Sequence, residues 1–216
     1  MTPSVDIAAR ERSDMTGSAG GEVDPRIART RELLWSALVR LIDERGYASI
    51  SVSDIASRAG LNRATFYRHF EDKDDLFRKG CSAFFDSLFL ELETGGPPAG
   101  GGALDWSEEY FGRLFQLVRD RRETFAILGG KRSDPEFTHI MRDKVDAFTI
   151  ERRLELFSGP REDQAAAELD AAAVSSLLSG LLAKWFVDTS RFPLEKVQVA
   201  YRSALTGGIP PYSGSR

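Results

Sequence analysis

The sequence predicts an all-α fold on three observations. Apolar residues recur every three or four positions through most of the chain, which is the period of one helix face. The alternation of apolar and polar residues that marks strands is nearly absent. The periodic stretches are also separated by breaks at Thr94–Ala103, with five glycines and two prolines, and at Ser158-Gly159-Pro160. Such compositions disfavour regular elements. No internal repeat is visible.

Residues 1–23 hold few large apolar side chains and include Gly17-Ser18-Ala19-Gly20-Gly21. They are expected to form a flexible arm, because nothing in them offsets the entropy of ordering. The first helix follows, with Ile27, Thr30, Leu33, Leu34, Ala37, Leu38, Leu41 and Ile42 on one face. Asp24 is its N-cap, Pro25 its first helical residue, and Gly46 lies beyond its end. A short helix is expected at about 53–59, capped by Ser53, with Asp54 at the positive dipole end and Ile55, Ala56 and Ala59 inward. Gly60 takes the turn, Leu61 plugs the core, and Asn62 caps a second short helix at about 63–69 that buries Phe66 and Phe70. A longer helix starts near Lys73 and carries Leu76, Phe77, Cys81, Phe84, Phe85, Leu88 and Leu92. Beyond the glycine-rich break, 105–128 and 134–157 read as helices with aromatic faces, and 162–188 and 194–207 as the last two.

With 216 residues, 24.0 kDa, 42% apolar and 29% charged residues, the chain fits one large domain or two small ones. Its net charge of -4 conceals an asymmetry. Residues 24–80 carry eleven Lys and Arg against nine Asp and Glu, whereas 81–216 carry sixteen against twenty. That balance allows one DNA-reading module on an acidic body. The single cysteine, Cys81, excludes an intrachain disulfide and a multi-cysteine zinc site, and reads as a buried small hydrophobe. No apolar run approaches the ~18 residues that a membrane helix needs, so the chain is not expected to span a bilayer, and no basic-then-apolar leader opens the chain. The expectation is a cytoplasmic protein with no membrane partner. There is no Gly-rich phosphate loop, no metal-spaced cluster and no Ser/His/Asp set, so neither enzyme chemistry nor a metal or other cofactor is expected. Adjacent pairs such as Glu108-Glu109 and Asp74-Asp75 point to different helix faces and read as solvated.

Residues 53–69, SDIASRAGLNRATFYRH, form helix, tight turn, helix. Burial of Phe66 and Phe70 leaves Arg63, Ala64, Thr65, Tyr67, Arg68 and His69 wholly or partly outside. Such a face suits a duplex: an arginine can pair with guanine, a threonine methyl can meet thymine, and hydroxyls reach phosphate. In helix-turn-helix proteins the second helix lies in the major groove with its N-terminal residues on base edges. Arg63 and Thr65 are therefore the expected base readers. Tyr67, His69 and Lys73 lie nearer phosphate, Arg26 and Ser51 flank them, and Ser53, Asn62, Ala64 and Arg68 complete the candidate set. The same pattern also fits an αα-corner with a solvated polar face.

The stretch Ile50–Phe77, ISVSDIASRAGLNRATFYRHFEDKDDLF, resembles the DNA-binding domain of TetR-family (tetracycline-repressor-like) transcriptional regulators. The matching features are Val52, Asp54-Ile55-Ala56, Ala59-Gly60-Leu61, Thr65-Phe66-Tyr67, His69-Phe70, and Lys73 with Leu76; the preceding helix, ending at Gly46-Tyr47, fits as well. The likeness covers residues 24–80 and fades beyond them to length and helix count. It implies a three-helix helix-turn-helix DNA-binding domain over 24–72, a helical effector-binding and dimerisation domain over 73–208, and a tail over 209–216. It further implies a homodimer on a palindromic operator in double-stranded DNA, with repression the commoner outcome; activation, or DNA-independent partner binding, are the alternatives.

Dimerisation in this family usually uses the last two long helices, which directs attention to Val174, Leu177, Leu178, Leu181 and Leu182. Each of these reads equally as an intramolecular core residue. A small-molecule effector is implied among the central helices. Trp106, Tyr110, Phe115, Phe125, Phe148 and Trp185 are the candidate lining, with Phe111, Phe137, Phe157 and Phe186 as further aromatics; aromatics at helical spacing also read as ordinary core. His139 reads as a surface or satisfied histidine. Arg10 and Arg12 are candidate minor-groove contacts opposed by the acids of the same arm.

Overall fold

The computed structural model describes residues 24–94, 103–156, 164–188 and 191–205. The expected arm, the glycine-rich break between Thr94 and Ala103, Phe157, the Ser158-Gly159-Pro160 break and the tail lie outside the described residues. Among those described there is no strand. The helices are α1 (Pro25–Arg45), α2 (Val52–Arg58), α3 (Arg63–Tyr67), α4 (Lys73–Thr94), α5 (Ala103–Asp120), α6 (Arg122–Leu128), α7 (Glu136–Leu156), α8 (Gln164–Val187) and α9 (Leu194–Leu205), with a 3-10 turn at Tyr47–Ser49.

The chain divides into two compact units, 1–95 with 123–144, and 96–122 with 145–216. In the first, α1 begins as its sequence dictates: the Asp24 carboxylate accepts the Arg26 N–H at 2.9 Å, and Pro25 occupies the first turn. Gly46 ends the helix at φ 82°, a left-handed value that favours glycine. The inward face of α1, with Leu34, Trp35, Leu38 and Ile42, packs on α2 and α4. Trp35 lies against Gly80, where α4 has no side chain to hold the ring away. Further along α4, Phe84 and Phe85 meet Phe125 of α6 with ring centroids 5.1 and 6.1 Å apart, and Phe85 meets Phe137 of α7 at 5.6 Å. Lys144 bonds Asp86 at 2.5 Å, tying α7 to α4. Cys81 is fully buried here, and burial pushes its thiol well up, so it behaves as an apolar filler.

In the second unit α9 packs on α8 and α5. Tyr201 sets its ring 4.4 Å from Phe111 and 6.2 Å from Phe115. The Ser175 hydroxyl, buried on α8, donates to the Asp146 carboxylate of α7.

Three expectations are corrected. The cap of α2 is Ser51, not Ser53, and the helix starts at Val52: only Ser51 has an acid three residues on, at Asp54, to return the bond. The predicted helix 105–128 is broken at Arg121 into α5 and α6, with no Gly or Pro to announce it. One segment, Glu168–Phe186, is long and apolar enough to cross a membrane by length and composition: Leu and Ala dominate it, although Ser, Gly and a few charges interrupt the run. Val174, Leu178, Leu182, Trp185 and Phe186 of this segment are buried within the second unit, as in a core helix.

Candidate nucleic-acid interface

The geometry of the helix-turn-helix is fixed by its caps. Ser51 Oγ accepts the Asp54 N–H at 3.2 Å, while the Asp54 carboxylate accepts the Ser51 N–H at 2.8 Å and its hydroxyl at 2.6 Å. Arg45, 2.9 Å from the same carboxylate, ties α2 to the end of α1. The bonds from Ser51, joined by Arg45, hold Asp54 well below the usual carboxylate range. Arg58 makes a two-point pair with Glu44 at 2.6 and 2.5 Å, the second tie between α1 and α2. An open groove of about 430 Å³ lies here, lined by Leu41, Glu44, Arg45, Asp54, Ser57 and Arg58. Its four charged side chains pair with one another, so the groove reads as a structural seam.

Gly60, at φ 70°, turns the chain, and the Leu61 N–H closes the corner on the Ala56 carbonyl at 2.8 Å. Asn62 then caps α3, accepting the Thr65 N–H at 2.7 Å. Phe66 and Phe70 are buried on the inner face, as expected. Arg63, Ala64, Tyr67 and Arg68 are exposed, and Thr65 and His69 half-buried, so the six form the outer face of α3 and of the turn that follows it, seated on aromatic anchors.

That face is ordered by its own contacts. The Arg63 guanidinium lies 5.9 Å from the centre of the Tyr67 ring and 3.4 Å from its hydroxyl. Arg68 donates to the Thr65 hydroxyl at 3.1 Å. Burial lowers the His69 pKa, helped by the positive charges of Arg31 and Arg68, so the imidazole favours its neutral form. Arg31 escaped the sequence reading; the available cue was the run Arg26, Arg29, Arg31 on the opening turns of α1.

Of the flanking candidates, Arg26 and Ser53 are exposed. The Ser51 hydroxyl is engaged in the capping box. The Lys73 ammonium is drawn back onto Tyr47, bonding its carbonyl at 3.0 Å. The candidate effector residues do not fall in one unit: Phe125 is buried in the aromatic core of the first, Phe115 and Trp185 are buried in the second, and Phe148, half-buried, also lies in the second. Trp106 and Tyr110 lie on α5, their side chains outside the described residues. Of the candidate dimer residues, Val174, Leu178 and Leu182 are buried within the second unit, whereas Leu177 and Leu181 are half-buried.

Comparison with known proteins agrees with this geometry. Residues 34–79 match the family described as bacterial regulatory proteins, tetR family. The chain is similar to the HTH-type transcriptional regulator YxbF of Bacillus subtilis (strain 168), 36% identical over 74 residues, covering 32% of this chain and 20% of that protein. It is also similar to the HTH-type transcriptional regulator AcrR of Shigella flexneri, 42% identical over 48 residues, 22% of each chain. The chain thus matches about a fifth of the length of each of these relatives. Among solved structures it is similar to NalD of Pseudomonas aeruginosa, the secondary repressor of the MexAB-OprM multidrug efflux pump, with a TM-score of 0.58 and 22% identity over 88% of this chain and 100% of that one. The fatty acid degradation regulator FadR of Bacillus halodurans gives a TM-score of 0.59 and 16% identity, covering 88% and 98%. Identities this low speak for the fold alone, a helix-turn-helix head followed by further helices. The helix-turn-helix head of this chain belongs to the tetR family of bacterial regulatory proteins.

Proposed function

We propose that the chain is a sequence-specific DNA-binding transcription regulator, acting in the cytoplasm as a homodimeric repressor and released from a palindromic operator by a small-molecule effector. The observation that carries this reading is the outer face of α3. Arg63, Thr65 and Tyr67 on this helix, with Arg68 and His69 in the turn that follows, project from a unit capped by Asn62 and anchored by Phe66 and Phe70. Arg63 and Thr65, in its first turn, read bases; Tyr67, His69 and Lys73 contact phosphate, with Arg26 at the flank. Repression is favoured by the NalD likeness, since that protein is a repressor of the same fold.

The dimer reading draws on α8 and α9. Leu169, Ala173, Ser176 and Gly180 form an exposed stripe of small and apolar residues along α8, and Val199 is exposed on α9. Small residues let a second helix approach closely. The effector reading draws on the aromatic packing of the second unit around Phe111, Phe115 and Tyr201. For release, the effector must bind the non-DNA-binding state more tightly, by about 1–3 kcal/mol of coupling.

The test is a gel shift on the intergenic DNA beside the protein's own gene at two salt concentrations, with Arg63→Ala, Thr65→Ala and Tyr67→Ala in parallel. Sequence-specific binding weakened by these changes is expected. Binding indifferent to sequence and lost at moderate salt is only phosphate attraction and would count against the reading.

A further inference from the structure

Lys73 opens α4, and its ammonium is held rather than free. Nζ donates to the Tyr47 carbonyl at 3.0 Å and lies 4.1 Å from the centre of the Tyr47 ring, within cation–π range. Tyr47 is in turn fixed on its other sides. Its N–H donates to the Arg132 carbonyl, in the segment between α6 and α7, at 2.8 Å. Its hydroxyl donates to the Asp74 carboxylate at 2.5 Å, and its ring packs on Phe77 with centroids 4.9 Å apart. Burial and the Asp74 bond push the phenol well up, so the hydroxyl remains a donor.

We propose that Tyr47 is a positioning residue for the Lys73 phosphate contact, its carbonyl and ring face holding the ammonium in place before DNA arrives. This rests on the DNA-binding reading given above and adds the residue that sets one of its contacts. An ammonium has three donors. The carbonyl takes one and the ring face attracts the charge, which leaves a donor for a phosphate oxygen. A lysine already held in place loses less freedom on binding than one that samples the surface. Because Arg132 fixes the Tyr47 main chain, the segment between α6 and α7 supports the same contact.

The test is a double-mutant cycle on full-length protein, using a duplex that the wild type selects from a random pool. Affinity is measured across a salt series for wild type, Tyr47→Leu, Lys73→Ala and the double variant. Lys73→Ala is expected to weaken binding roughly 3- to 10-fold and to lower the salt slope by about one. Tyr47→Leu, which keeps apolar bulk but loses the ring face, is expected to weaken binding several-fold in the wild-type background and not at all in the Lys73→Ala background. Equal weakening in both backgrounds means that Tyr47 only supports the fold, and overturns the proposal. So does a Lys73→Ala variant with unchanged affinity and slope. If Tyr47→Leu does not melt cooperatively, Tyr47→Met carries the same cycle, since it too keeps apolar bulk and lacks the ring face: weakening confined to the protein that retains Lys73 is expected, and equal weakening in both backgrounds, or none, overturns the proposal. A wild type that selects no sequence removes the DNA-binding reading, and the role of Tyr47 falls with it. Specific wild-type binding with an additive cycle removes the role of Tyr47 alone.

Discussion

Alanine in place of Gly80 would set a methyl carbon 2.1 Å from Cε3 of Trp35, 2.4 Å from Cζ3 and 2.7 Å from Cδ2. Carbon atoms in ordinary contact lie about 3.5–4.0 Å apart, so the indole must retreat by more than about 1 Å. It has little room to do so. Trp35 is 1% exposed, and Phe77 sits beside it with ring centroids 6.4 Å apart. Overpacking of this kind costs about 1–3 kcal/mol, and a rigid ring places the cost toward the upper end. Against it stands the helix preference of Ala over Gly, about 0.8–1.0 kcal/mol. The net expectation is a loss of about 2 kcal/mol, or roughly 4–8 °C in Tm for a chain of this size. Thermal and urea unfolding followed by helical circular dichroism measure it. Gly112 of α5 is the internal control, since a Cβ there meets nothing within 4 Å. Gly112→Ala should stabilise by about 0.5–1 kcal/mol. A Gly80→Ala protein as stable as wild type would refute the close seating of Trp35 on α4, and with it the account of how the head is held on that helix.

Other perturbations bear on the head and on the assembly. Asn62→Ala removes the cap of a five-residue helix and should cost about 1 kcal/mol in urea unfolding. His69 is held neutral by burial, Arg31 and Arg68. Its depressed pKa means that the folded head loses stability as pH falls below the ordinary histidine value of about 6.5. A phosphate acts in the opposite sense and favours the charged imidazole, so affinity for DNA should rise several-fold from pH 8 to pH 6. Titrations of wild type and His69→Gln check this, and identical pH profiles would exclude a phosphate at His69. Leu169 and Val199 are 74% and 64% exposed; replacing both with Glu should leave the helical circular dichroism unchanged, convert the proposed dimer to monomer in sedimentation velocity and abolish the concentration dependence of Tm. A wild type already monomeric at micromolar concentration would contradict the dimer.

Much of the head was legible because its signals are local. Asp24, Pro25 and Gly46 bound α1 by cap chemistry, and Asn62 with Phe66 and Phe70 placed α3 and its buried face within nine residues. The errors arose where neighbouring signals competed. Ser51 and Ser53 are both good caps by type, and the choice turned on which has an acid three residues on. The break at Arg121 carries no Gly or Pro, so periodicity ran through it. Contacts distant in sequence were not legible. The bond of Lys73 to Tyr47 spans 26 residues, and the meeting of Trp35 with Gly80 depends on how α1 crosses α4. The second unit was legible as helices but not as a site. Periodicity puts Phe115, Phe125 and Trp185 on apolar faces, yet only the fold separates Phe125 into the core of the first unit.

Selection of duplexes from a random pool by the purified full-length protein tests the central claim most directly. The account predicts an enriched inverted repeat with half-sites about 10–10.5 base pairs apart, one helical turn; Arg63→Ala should relax preference at one position of each half-site, at a cost of about 1–3 kcal/mol. A pool that stays random, with retention that simply decays as salt rises, would contradict it.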